Sequence, residues 1–72
     1  MARGIYNRTW MEEARKKKGY SMANVADKAQ VNVSVYCRIE KGLIEPGVKS
    51  GLRICNCLEV NPKMFLIEQQ ID

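Results

Sequence analysis

Residues 21–42 read SMANVADKAQVNVSVYCRIEKG, and this stretch decides the fold. Ser21 and Asn32 both carry a side-chain oxygen that can accept a backbone hydrogen bond at a helix start. Helical periodicity follows each of them. Met22, Val25, Ala26 and Ala29 recur at the spacing of one helix face. Ala26 and Ala29 are small, so a neighbouring helix can come close. The second helix runs from Asn32 to about Lys41. Gly42 then stands where a left-handed residue commonly ends a helix. The turn between the helices is short, residues 30–32, with Val31 as its apolar plug.

The second helix has two distinct sides. Successive residues are turned by about 100°, so Val35, Tyr36 and Ile39 project together and can bury against the helix before them. Val33, Ser34, Cys37, Arg38 and Lys41 project the other way. That side is small, short or basic, as a surface entering a major groove must be. A guanidinium at Arg38 can fork onto guanine O6 and N7, and the Val33 methyls can meet a thymine methyl. Asn32, Val33, Ser34 and Arg38 are the candidate base-contacting residues. Two short helices, a tight turn and an outward polar stripe give the layout of a DNA-reading helix-turn-helix, at about 21–41. An ordinary amphipathic helix with a solvated face shows the same pattern, and that alternative stays open at this point.

The chain resembles the lambda-repressor and Cro-like helix-turn-helix family, of the xenobiotic-response-element type. The resemblance runs from about Trp10 to Leu66. It rests on Arg15 in helix 1, the helix-turn-helix at 21–39, and Glu40, Lys41 and Gly42 closing the third helix. Pro46 then precedes a fourth helix, and Leu58, Glu59, Val60, Asn61 and Pro62 lead into a fifth. Each motif is weak alone; their order and spacing together are strong. The resemblance implies an all-α, five-helix lambda-repressor-like DNA-binding domain. It also implies an ion pair between Arg15 and Glu40, tying helix 1 to the end of the recognition helix. Met22 marks the helix start whose backbone N–H groups would hold a DNA phosphate. Several residues depart from the family pattern. Met22 replaces a glutamine whose side chain bonds that phosphate, and Gln30 replaces the turn glycine. Leu43, Ile44 and Glu45 occupy a loop that is often basic, and Gly51 stands where a large apolar residue is usual.

The chain has 72 residues, which bounds it to one domain, 1–72, with a marginal core. Hydrophobic residues make up 46%, which argues against disorder. No stretch approaches the roughly 20 apolar residues of a membrane span. The segment MARGIYNR lacks an apolar core, so no secretory signal is visible. Cys37, Cys55 and Cys57 are odd in number and make no disulfide framework. Cys55 and Cys57 would diverge on a helix and histidine is absent, which argues against a metal site. All three cysteines read as reduced thiols in a cytoplasmic protein, Cys55 and Cys57 as small packing residues. With no carboxylate pair or Gly-rich phosphate loop, neither an enzyme nor a cofactor is expected.

The net charge of +4 is uneven. Residues 1–41 hold nine Lys/Arg against four Asp/Glu, whereas residues 42–72 hold three against four. The basic half carries the helix-turn-helix, so a polyanionic partner follows on that side. Lys16, Lys17, Lys18, Lys28 and Lys41 are candidate phosphate contacts. Lys16, Lys17 and Lys18 also complement a helix dipole ahead of a stop at Gly19. Both readings of that cluster stand.

Residues 1–6 read as a loose basic arm, and helix 1 spans about 8–18 with Asn7 or Thr9 near its start. Trp10, Met11 and Ala14 give it an apolar stripe. Helix 4, with Pro46 in its first turn, is expected to bury Val48, Ile54, Cys55 and Leu58. Gly51 in its middle costs up to about 1 kcal/mol relative to Ala and is expected to leave room for Trp10. Asn61 caps helix 5, with Pro62 at its first position. Met64, Phe65, Leu66 and Ile67 are consecutive apolar residues, more than one helix face can bury. Phe65 matches the family's core position, which leaves Met64, Ile67 and Ile71 for a second copy of the chain. A small domain that simply exposes some apolar atoms is the alternative.

These readings converge on a sequence-specific DNA-binding transcriptional regulator, a repressor acting as a homodimer on an inverted-repeat operator. Double-stranded DNA and a second copy are the expected partners, with no membrane and no small-molecule ligand indicated. The rival reading is a protein-interaction module on the same fold, docking its partner through Leu43, Ile44 and helix 5. Met22 and the non-basic loop favour that rival; the basic first half opposes it.

Overall fold

The computed structural model describes residues 6–67. Five helices follow in order: α1 Thr9–Lys17, α2 Met22–Lys28, α3 Val33–Glu40, α4 Val48–Leu58 and α5 Met64–Ile67. None is long and apolar enough to cross a membrane.

Local polar chemistry sets the starts. Ser21 Oγ accepts from the Asn24 N–H at 3.1 Å, and Asn24 Oδ1 accepts in return from the Ser21 N–H at 3.0 Å. This reciprocal box satisfies two orphan donors at the head of α2. Asn32 Oδ1 accepts from the Ser34 N–H at 2.8 Å and starts α3. Asn7 Oδ1 does the same for the Thr9 N–H at 3.2 Å, ahead of α1.

The ends of α1, α2, α3 and α4 share one device. A residue at positive φ follows each helix: Gly19, Gln30, Gly42 and Glu59, with φ between 57° and 77°. At α3 the Gly42 N–H donates to Ile39 O and the Leu43 N–H to Arg38 O. The paired bonds satisfy carbonyls that the last helical turn leaves open. The same pair of bonds closes α2 through Gln30 and Val31. Gln30, which stands in place of the family's turn glycine, thus sits in the left-handed region that favours glycine.

The core comprises Met11 of α1, Val25, Ala26 and Ala29 around α2, Tyr36 and Ile39 of α3, and Ile54 and Leu58 of α4. Trp10, Ala14 and Phe65 pack at its margin. Trp10 meets Phe65 edge to face with centroids 5.1 Å apart.

Three packing expectations need correction. Val35 is 36% exposed and Val48 81% exposed. The inward stripe of α3 is Tyr36, Ile39 and Glu40, which leaves Val35 turned off its edge. Pro46 precedes the cap, and α4 begins only after Gly47. Val48 then takes the first helical position and overhangs the end of the packed stripe Gly51, Ile54, Cys55 and Leu58. Finally, Gly51 makes room for Pro46 and Phe65, not Trp10: a Cβ there would meet Pro46 Cγ at 3.4 Å and Phe65 Cε2 at 3.8 Å.

Candidate nucleic-acid interface

α3 projects an exposed surface made of Val33, Ser34, Val35 and Arg38, flanked by Asn32 before it and Lys41 after it. The Asn32 Oδ1 holds the capping bond, and the amide NH2 of that side chain is free of it to face a ligand. Cys37 lies on the same helix but is half-buried. Its thiol is directed to the Met22 thioether, with Sγ 3.4 Å from Sδ. Met22 opens α2 half-buried against the core. Its side chain thus faces inward, while its backbone stands at the helix start.

Two arginines from the first helical region hold the far end of α3. Arg15 forms a two-pronged pair with Glu40: Nε to Oε1 at 2.7 Å and Nη2 to Oε2 at 3.2 Å. Arg15 Nη1 also donates to Tyr20 O at 2.8 Å, and the Tyr36 hydroxyl donates to Glu40 Oε1 at 2.8 Å. The hydrogen bond to Glu40 pushes the Arg15 pKa up, against the opposing effect of burial. Burial, reinforced by the bond to Glu40, drives the Tyr36 phenol far above its ordinary value. The guanidinium therefore stays charged and the phenol neutral, so the network holds across the physiological range.

The second arginine, Arg8, had no distinguishing mark among the basic residues of the sequence. It is only 3% exposed. Its Nη1 donates to Ile39 O at 2.7 Å and Ile44 O at 2.6 Å. A cation beside the last carbonyls of a helix complements the helix dipole.

The candidate phosphate lysines are dispersed. Lys41 caps the end of α3. Lys16 is paired along α1 with Glu12 at 3.7 Å. Lys18 forms an ion pair with Glu59, just past α4. Lys17 and Lys18 line a cleft of about 550 Å³ with Trp10, Leu58 and Val60, to which α3 contributes no residue. Lys28 places its Nζ 5.2 Å from the centre of the Tyr20 ring. It borders a smaller cleft with Arg53 and Asn56, again without α3.

Of the residues considered for a second copy, Ile67 is 68% exposed, Met64 is half-buried, and Ile71 lies outside the described residues. Leu66 at 84% and Leu52 at 51% are also exposed, and sequence reading did not single them out. Leu52, Leu66, Val48, Pro46 and Pro62 line an apolar groove of about 310 Å³ between α4 and α5. Among the described residues, no cluster of His, Cys, Asp and Glu could hold a metal ion. Burial pushes the Cys55 thiol up to about 11.

The helix-turn-helix profile matches residues 11–65. The chain belongs to the helix-turn-helix family. Among solved structures, the N-terminal DNA-binding domain of SinR from Bacillus subtilis is 31% identical, with a TM-score of 0.75 over 85% of this chain and 90% of that one. SinR in complex with DNA is 30% identical, with a TM-score of 0.71 over 81% and 94% of the two chains. The restriction-modification controller protein C.AhdI from Aeromonas hydrophila, at 23% identity, shares the fold, with a TM-score of 0.68 over 74% and 80%. A search of curated proteins finds no match. The all-α, five-helix architecture is that of Cro-like helix-turn-helix DNA-binding regulators.

Proposed function

We propose that this helix-turn-helix protein is a sequence-specific DNA-binding transcriptional regulator, a repressor that acts as a homodimer on an inverted-repeat operator. The observation that carries the reading is the exposed α3 face, with Val33, Ser34, Arg38 and Lys41 outward on a helix anchored at its far end by buried Arg15 and Arg8. A rigid scaffold under a short, basic, small-residue face is what reading base edges requires. The likeness to SinR, solved in complex with DNA, supports the same reading. In this reading Asn32, Val33, Ser34 and Arg38 contact bases. Lys41 and the backbone at Met22 hold phosphates. Lys16, Lys17, Lys18 and Lys28 serve as a weaker basic field, since Lys16 and Lys18 have carboxylate partners of their own. The apolar surface of Leu52, Leu66 and Ile67, together with Met64 and Ile71, receives the second copy. Repression follows where the bound dimer occludes a promoter.

DNA fragments selected by the purified protein give the test. Binding should fall with salt, losing about 0.9 in log–log slope per phosphate contacted, and exceed binding to random DNA by about a thousandfold or more. Ile67→Glu should turn a dimer into a monomer and weaken full-operator binding far more than it lowers the melting temperature. Each monomer then reads one half-site without the gain from linkage. A wild-type chain that stays monomeric at high concentration in sedimentation refutes the dimer. The inward Met22 side chain and the exposed Ile44 favour a second reading, a protein-docking module on the same fold. Absence of salt-dependent DNA binding would select it.

A further inference from the structure

Arg8 joins three parts of the molecule that have no sequence proximity. One nitrogen, Nη1, bonds both Ile39 O in the last turn of α3 and Ile44 O beyond it, at 2.7 and 2.6 Å. It thereby spans the loop that Gly42 turns at φ 77°. The Ile39 carbonyl also accepts from the Gly42 N–H at 3.0 Å, so two donors converge on it. The Tyr6 N–H donates to Gly42 O at 3.1 Å, and a Cβ on Gly42 would overlap the Tyr6 carbonyl oxygen. The guanidinium lies 4.8 Å from the Tyr6 ring centre and 5.1 Å from that of Phe65. Phe65 belongs to α5 and leans on Trp10.

Among the described residues α5 comprises Met64–Ile67. Helices in proteins owe most of their stability to tertiary packing, and here Phe65 packs against the core. Its packed residue, Phe65, touches Arg8; its exposed neighbours, Leu66 and Ile67, face outward. Anything that fixes α5 from outside therefore also fixes the ring on which the guanidinium rests. A planar guanidinium can stack on an aromatic face and fork onto carbonyls at once, which an ammonium cannot.

We propose that Arg8 is a positioning residue that makes the geometry of the loop after the recognition helix depend on the seating of α5. Firm seating of α5 then firms the end of α3 and Lys41 for DNA. This rests on the DNA-binding reading above, but the link from Phe65 through Arg8 to the loop is testable without DNA.

The experiment is a double-mutant cycle read by amide hydrogen exchange on the full chain. The readouts are the Gly42 and Leu43 amides, bonded to Ile39 O and Arg38 O, with the Val25 amide of α2 as internal reference. Arg8→Met and Phe65→Leu should each speed Gly42 and Leu43 exchange about fivefold or more relative to Val25. In the Arg8→Met background, Phe65→Leu should add less than about twofold. Unchanged loop exchange in Arg8→Met, or a full Phe65→Leu effect in its absence, overturns the proposal. Should Arg8→Met not fold, Arg8→Lys runs the same cycle: it keeps the charge and a donor but lacks the stacking plane. Phe65→Leu should again add less than about twofold there, and a full effect overturns the link. In the DNA arm, Arg8→Lys should bind the selected operator about tenfold more weakly, with a salt slope within about one unit of wild type, since no phosphate contact is removed. Wild-type affinity in that variant overturns the positioning role. A wild-type chain that binds no DNA would refute the function reading alone, because the exchange cycle still decides the link.

Discussion

Replacing Glu40 with alanine removes one carboxylate and strands three donors. Arg15 Nε loses a partner at 2.7 Å, Arg15 Nη2 one at 3.2 Å, and the Tyr36 hydroxyl one at 2.8 Å. Arg15 keeps only its bond to Tyr20 O. The two side chains of the pair are 9% and 5% exposed, so bulk water does not already share the charge. Breaking a buried ion pair by deleting one partner costs about 3–5 kcal/mol. The stranded Tyr36 hydroxyl alone would cost about 1–3 kcal/mol, but water entering the space left by Glu40 would serve both groups, so the costs overlap. We expect about 3–5 kcal/mol in all. Domains this small have little stability in reserve. At about 4–8 °C per kcal/mol for a chain of this size, the melting temperature should fall by about 12 °C or more. A thermal melt followed by far-ultraviolet circular dichroism measures it. A fall of less than about 4 °C, equivalent to under 1 kcal/mol, would refute the reasoning and show that the guanidinium finds water without cost. The double variant Arg15→Met with Glu40→Leu separates charge from packing. It should recover part of the loss, because no buried charge is left unpaired, while the Tyr36 hydroxyl still lacks its acceptor. A double variant as unstable as Glu40→Ala would place the cost in packing instead.

Arg38→Ala should weaken operator binding by about 1–3 kcal/mol and relax the preference at one base pair. An equal loss on operator and random DNA, in a binding titration, would make Arg38 a phosphate contact. Gln30→Gly should raise the urea midpoint, by up to about 1 kcal/mol in stability, because residue 30 sits at φ 58°. A lower midpoint would show that the Gln30 side chain contributes more than its backbone strain costs. Cys37 and Cys57 are half-buried and Cys55 is buried, with its thiol pushed up to about 11. At mildly alkaline pH a thiol reagent should therefore label Cys37 and Cys57 in the folded chain, and Cys55 only after denaturation. Equal labelling of all three, resolved by peptide mass, would contradict the burial of Cys55.

α2, the turn and α3 were legible before any tertiary contact was known, because the groups that start and stop those helices act within a few residues. Ser21 and Asn24 box the first helix, Asn32 caps the second, and Gly42 closes it by its own conformational freedom. The inward set Val25, Ala26, Ala29, Tyr36 and Ile39 followed from helical periodicity alone. Periodicity names a face but not the neighbour that covers it. Val35 and Val48 therefore lie open where burial was expected, and the apolar run that includes Leu66 gave no sign that it would share a groove with Leu52. The basic residues show the same boundary. In sequence Arg8, Lys18 and Lys28 are alike, cations in a basic half. The tertiary structure buries Arg8 on carbonyls 31 and 36 residues away, pairs Lys18 with Glu59 and lays Lys28 over Tyr20. A cation's role depends on which acceptors and rings surround it, and those arrive from distant parts of the chain only when the helices pack.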